Sequence, residues 1–383
     1  MSPVPNANRR NAGFSLVEIM VGLVIGLISM IIIMQLYALF EEQKRTTTSG
    51  SDALTNAGFS IFSIERDVRV AGYGFTDATG CTVNTAQNTT LNNQASAASF
   101  RLVPVTITQG MGTASDTISV LASNKNTWST PARILGNSTK QTDTEFALNT
   151  PVGITQGDLL VAYEPGKNCT LFQVTAVDTS DNKITHDNNT WNKTAIFPKD
   201  GEGKSYLQSG DAMVYNLGSL MSRTYSIDAN SNLNLADYSS ATNTYTSQPL
   251  APGIVSLQAQ YGFDTRAGTQ TDAKVDTWRD AMTVDADGSG TIGDAGDIAR
   301  IYAMRFVIVA RSELKEKPDA SGNCNATTSY TLPPPADKWP DGTARNIDLR
   351  LNPDGSANAD WKCYRYKTFE TVAPLRNMLW KQL

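Results

Sequence analysis

FSLVEIMVGLVIGLISMIIIMQLYALF, residues 14–40, decides the class of this chain, because no charged residue falls between Ile19 and Phe40. At a helical rise of about 1.5 Å per residue, roughly 22 uncharged residues reach about 33 Å, enough to cross a bilayer. The preceding MSPVPNANRRNAG, residues 1–13, is polar and carries Arg9 and Arg10. Arginines ahead of the span hold the start inward and send the body outward. An ordinary secretory signal has a shorter apolar region and a small-x-small cleavage site. Here the run leads instead into Tyr37, Leu39 and Phe40, then Glu41-Glu42-Gln43-Lys44-Arg45. A plain single-span anchor fits the hydropathy but leaves Glu18 unexplained, since a carboxylate in hydrocarbon is costly without a partner.

Outward from the span, the sequence reads as a folded body. Of 383 residues, 40% are hydrophobic and 18% charged, which fits a chain able to bury a core. The formal net charge of −5 gives no basic footprint for nucleic acid. Leu54, Ala57, Ile61, Ile64, Val68 and Ala71 recur at spacings of three and four, one face of an amphipathic helix. Between that helix and the span lies Thr46-Thr47-Thr48-Ser49-Gly50-Ser51, poor helix material that predicts a bend or a melted stretch. Ala71-Gly72-Tyr73-Gly74 predicts the helix end. Strands are predicted over 99–108, 116–121, 158–163, 171–177, 212–219, 254–263 and 300–311, the last being the long apolar RIYAMRFVIVAR. The polar segments 84–98 and 228–248 are predicted as surface loops or hairpin tips. The fold class is therefore α+β: a long N-terminal helix, then a β-rich head treated as one domain.

The four cysteines, Cys81, Cys169, Cys324 and Cys363, form no CxxC pair, which argues against a zinc or thioredoxin-type site. An even count in an exported chain favours two disulfides. Three pairings are formally possible; Cys81–Cys169 and Cys324–Cys363 close the shorter loops.

Gly13-Phe14-Ser15-Leu16-Val17-Glu18 resembles the leader of the type IV pilin family, a glycine followed by F-[ST]-L-[IV]-E. The resemblance implies that a prepilin peptidase cuts between Gly13 and Phe14, that the new Phe14 amine is N-methylated, and that Glu18 pairs with the amine of a neighbouring subunit. It divides the chain into a leader, 1–13, a helix, 14–72, with its transmembrane segment at 14–40, and an extracytoplasmic head, 73–383. Further segments resemble the PilW-type minor pilins: Arg66-Asp67-Val68-Arg69-Val70-Ala71-Gly72-Tyr73, VSLQAQYGFD at 255–264, RFVIVARSE at 305–313, and the ending from 364 to 377. That branch implies a minor subunit, held in the inner membrane and then in the filament, whose partners are minor and major pilins. Its expected role is to initiate pilus assembly or sit near the tip, supporting twitching motility, adhesion or DNA uptake. A pseudopilin of a type II secretion system shares the leader, and a tip adhesin with a ligand-binding head fits the polar loops.

One segment offers a metal site. Asp285-Ala286-Asp287-Gly288-Ser289-Gly290-Thr291-Ile292 matches the first eight positions of an EF-hand-like calcium loop, with Asp285, Asp287, Ser289 and the Thr291 carbonyl as ligands. The twelfth position is Gly296 where a bidentate acid belongs, while Asp294 and Asp297 lie nearby. No cofactor is otherwise required. His186, the sole histidine, lies in a predicted turn and reads as an exposed loop residue. Gly288-Ser289-Gly290-Thr291-Ile292-Gly293 spells GxGxxG but follows an acidic turn, which would repel a pyrophosphate. With neither HExxH nor GxSxG present, the sequence offers no active site and the chain is expected not to be an enzyme.

Overall fold

A computed structural model describes residues 15–83, 100–125, 130–135, 143–187, 189, 191–192, 211–266, 271–319 and 321–380. The segment 84–98 lies outside them. Helix α1 runs unbroken over Leu16–Val70, 55 residues. The break predicted at residues 46–51 is absent. Thr47 and Thr55 turn their hydroxyls back onto the carbonyls four residues earlier, of Gln43 and Ser51, so they do not compete with the helix. Ser49 is buried and its hydroxyl accepts from the Leu314 amide at 3.1 Å. Tertiary docking therefore overrides weak local propensity there.

Beyond Ser49, α1 buries Ala53, Ala57, Ser60, Ile64, Val68 and Ala71 against the head. Leu54, read from its spacing as part of that stripe, is instead 48% exposed, and Ala53 takes the inward place. The small side chains at 53 and 57 let the helix axis approach the sheets closely. Termination falls where predicted: Gly72 has φ +77°, its N–H donates to the Leu121 carbonyl, and a Cβ there would press on Pro104 and Met378.

The head carries three large antiparallel sheets. A four-stranded sheet has the order Thr277–Arg279, Ile254–Phe263, Ile301–Arg311, Tyr366–Pro374. Its strand Ile301–Arg311 is buried on both faces, which is why it reads as an almost continuous apolar run. Met304, Phe306 and Ile308 belong to the core beneath α1, whereas Val307 and Val309 pack with Leu332, Trp339, Ile347 and Leu349. A five-stranded sheet has the order Thr244–Pro252, Asn232–Ser239, Met221–Ile227, Thr117–Ala122, Val105–Thr108. The paired strands Asn232–Ser239 and Thr244–Pro252 take up most of 228–248, expected as surface loop or hairpin tips, and residues 240–243 form the hairpin tip between them. Leu233, Leu235 and Tyr238 supply sparse inward side chains that the polar composition hides.

The third sheet has seven strands in the order Thr170–Gln173, Leu159–Tyr163, Met213–Gly218, Ala132–Leu135, Glu145–Leu148, Lys183–Thr185, Ala176–Asp178. Its two edge strands are consecutive in the chain, joined through Val174 and Thr175 alone. The sheet must therefore curl onto itself, around a core that includes Phe146, Leu160, Phe172, Ile184 and Val214. That curl splits the strand predicted at 171–177. The strand predicted at 99–108 is likewise split, into Phe100–Arg101 and Val105–Thr108 around Pro104, which has no amide to donate. Disulfides join Cys81 to Cys169 and Cys324 to Cys363, with Cα separations of 6.0 and 4.8 Å. The first ties the end of α1 to an edge of the curled sheet.

Candidate assembly helix and acidic loop

The first half of α1 is its own environment. Leu16–Glu41 is 26 residues long, and none of its apolar core window is buried against the rest of the chain. At about 1.5 Å per residue it reaches about 39 Å, more than a bilayer core requires. Such a face needs lipid or other helices to cover it. Glu18 lies in the first turn, exposed among Leu16, Val17, Ile19 and Met20. The exposed N–H groups of a helix start favour a negative charge at that place. Gly13 and Phe14, the expected cleavage and methylation residues, lie outside the described residues.

Sequence reading missed the residue that fastens this helix to the head. Asp67 is buried in α1 and accepts from the Tyr225 hydroxyl at 2.6 Å and from Arg223 Nη1 at 3.2 Å on both oxygens. Arg223 also reaches Asp237, 3.4 Å away on the neighbouring strand. The network raises the Tyr225 phenol far above its usual range, through burial first and the Asp67 contact second. Asp67 was in view as part of a family-like motif, but nothing in its neighbours signals a polar anchor on the inward face.

The acidic loop closes differently from an EF-hand. Carboxylate oxygens of Asp285, Asp287 and Asp297 lie within 4.8 Å of one another. Asp297, one residue past the expected twelfth position, is buried and accepts from the amides of Ala286, Asp287 and Gly293 at 2.5, 3.3 and 2.6 Å. A Cβ at position 296 would fall 1.8 Å from Asp287 Oδ2, so any larger residue there would displace that carboxylate. Of the expected ligands, Asp285 and Asp287 are in the cluster. Ser289 turns its hydroxyl to Asp294 Oδ2 at 2.9 Å, and the Thr291 carbonyl faces that same hydroxyl at 3.4 Å. Asp294 itself accepts from the Asp297 amide at the start of the short helix α2, Ala295–Ala299. Asp285 Oδ1 is buried with no hydrogen-bond donor on it. His186 is a correction of another kind: it is buried beside Phe146 and Phe172, and burial pushes its pKa down to about 4.

Residues 8–34 match the family model of the prokaryotic N-terminal methylation motif, and residues 218–377 match that of type IV pilus-assembly protein W. The chain is a PilW-type pilin with a prepilin leader. The two matches lie at opposite ends of the chain: one covers the last residues before α1 and most of its exposed half, the other the four-stranded sheet and three strands of the five-stranded one. All of the curled sheet but the last residue of Met213–Gly218 precedes the second match. No curated protein and no solved structure matches the pilin. Its family makes it a structural component of a pilus, and its apolar helix fits a membrane anchor.

Proposed function

We propose that this pilin is a minor subunit that enters the type IV pilus through α1, where it initiates assembly or stands near the tip. In that role it supports twitching motility, adhesion or DNA uptake. The observation that carries the reading is Glu18, an ionisable side chain on an apolar helix that the rest of the chain leaves uncovered. A prepilin peptidase cuts between Gly13 and Phe14, and the Phe14 amine is then methylated. The helix holds the subunit in the inner membrane, head outward, until it polymerises with minor and major pilins. Within the filament, Glu18 neutralises a neighbour's Phe14 amine, which satisfies both charges in an apolar core. The work is assembly rather than turnover. Glu18→Ala and Glu18→Gln are expected to leave membrane insertion and leader cleavage intact while depleting the subunit from sheared pili. Wild-type amounts of both variants in the filament would show that Glu18 is no assembly contact and that α1 is a plain anchor.

We also propose that the acidic loop takes a hard divalent cation, with Asp285, Asp287 and Asp297 as carboxylate ligands. The three carboxylates are close enough to share one cation, and the bare Asp285 Oδ1 supplies an open ligand atom. Calcium at millimolar concentration is expected to raise the melting temperature of the detergent-solubilised chain by linkage, and Asp285→Asn to remove the rise. An unchanged melting temperature in wild type would leave the loop a self-closed turn.

A further inference from the structure

A groove of about 920 Å³ lies where α1 leaves its apolar span, between the helix and residues 313–318. Ala38 and Glu41, which line one end of it, belong to the last turn of Leu16–Glu41. From Ala38 to Asp52 the helix wall runs about 21 Å. The opposite wall follows strand Ile301–Arg311 and is fastened in place. The Leu314 amide donates to Ser49 Oγ at 3.1 Å, and the Glu316 amide to the Cys363 carbonyl at 2.7 Å. Cys363 is itself bonded to Cys324, and Lys315 Nζ reaches Asp360 at 2.6 Å. Held this way, the segment still leaves Leu314 47% exposed, with Lys317 and Pro318 open beside it.

The place of the groove selects the ligand. A bilayer crossed by Leu16–Glu41 brings its polar groups to the level of Ala38 and Glu41, so that end of the groove opens among them. Ala38, Leu314 and Pro318 give apolar surface for a glycerol backbone and the first acyl carbons. Both signs of charge line the same space: Glu41 and Glu313 with Lys44 and Lys317, all exposed. A phosphate pairs with ammonium side chains, and an ammonium with carboxylates. An ethanolamine phosphate carries both partners on one ligand. A choline phosphate has no N–H to donate, and a glycerol phosphate has no cation. We propose that this groove binds the polar group of phosphatidylethanolamine, seating the globular head against the bilayer before the subunit enters a filament. The inference rests on the reading of α1 as a membrane anchor.

The test mixes the full-length protein in detergent micelles with equal amounts of dioleoyl phosphatidylethanolamine, phosphatidylcholine and phosphatidylglycerol, and reads the retained lipid by native mass spectrometry. Phosphatidylethanolamine is expected to be retained about tenfold over the other two. Glu41→Gln combined with Lys317→Gln is expected to cut that retention about tenfold without changing the melting temperature, because both side chains are exposed. Equal retention of the three lipids, a preference for phosphatidylglycerol, or an unchanged preference in the double variant would overturn the proposal. Displacement of the lipid by an equal concentration of free phosphoethanolamine would overturn it in favour of a soluble ligand. A wild-type chain recovered from the soluble fraction of cells would overturn the anchor reading and this proposal with it. Loss of lipid preference in a chain that stays in the membrane fraction overturns this proposal alone.

Discussion

Asp116 and His186 are buried in different parts of the head, and burial moves them in opposite directions. The Asp116 carboxyl accepts from the amides of Gly110 and Ala259 at 3.0 and 2.8 Å, yet desolvation outweighs these bonds and raises its pKa to about 6. The folded state thus holds this proton more firmly than the unfolded chain does. Its contribution to stability is present below pH 4 and is lost as the pH rises through 6. His186, held neutral down to about pH 4, acts in the other sense, costing stability as the pH falls from 6.5. Each effect has a ceiling of about 3 kcal/mol, so the two nearly cancel between pH 4 and 6. Asp116→Asn removes one side of the balance. Denaturation midpoints at pH 4, 5 and 6 are expected to fall more steeply with acid in this variant, and a profile parallel to wild type would count against the opposition. Neither burial was legible locally: Asp116 opens a strand like many others, and His186 sits in a stretch of polar residues. Both depend on which strand lies over them.

The α1 element shows how much pattern alone can carry. Its period of three to four, its glycine stop and its span length are all printed in the sequence, because an amphipathic helix needs only its own spacing. What spacing misses is phase and polarity at the contact. Leu54 faces out where Ala53 faces in, and a carboxylate occupies the inward face at Asp67. Asp67→Ala would leave Tyr225 Oη with only the Ser63 carbonyl, 3.2 Å away, and Arg223 with Asp237 alone. Since Arg223 is partly exposed, the cost is expected to be about 2–3 kcal/mol, below that of a fully buried pair. Asp67→Asn keeps an acceptor for Tyr225 and should cost less. Thermal unfolding followed by near-ultraviolet circular dichroism measures both; a loss under about 0.5 kcal/mol in the alanine variant would remove Asp67 as the anchor. Among the strands, Ile301–Arg311 announced itself because both its faces are buried. Asn232–Ser239 did not, because its few inward side chains, Leu233, Leu235 and Tyr238, are outnumbered by polar neighbours and the stretch looks like polar loop.

At the scale of the whole molecule, an anchor helix and a head are one continuous unit, with the second half of α1 built into the head's main core. The leader division at residue 13 is a processing proposal with a direct test. Mature protein from membrane fractions is expected to begin at Phe14, and Gly13→Val to accumulate uncut precursor, both by N-terminal mass analysis. A wild-type chain that retains Met1, or begins after residue 40, would reject the prepilin assignment of this end. The sequence by itself determined the long apolar start of the helix, its isolated acid, the methylation motif and the family, because these depend on composition and order along a short stretch. It also favoured the sequence-neighbour cysteine pairs. Only the tertiary structure decided that the helix runs unbroken through residues 46–51, that the strands on either side of Val174 and Thr175 close a curled sheet, and that Asp297 rather than residue 296 joins Asp285 and Asp287. It alone brought residues 313–318 beside Ala38 and Glu41 to form one groove. Those outcomes rest on contacts between residues tens to hundreds of positions apart, whose energies exceed local propensity and leave no trace in the spacing of neighbours.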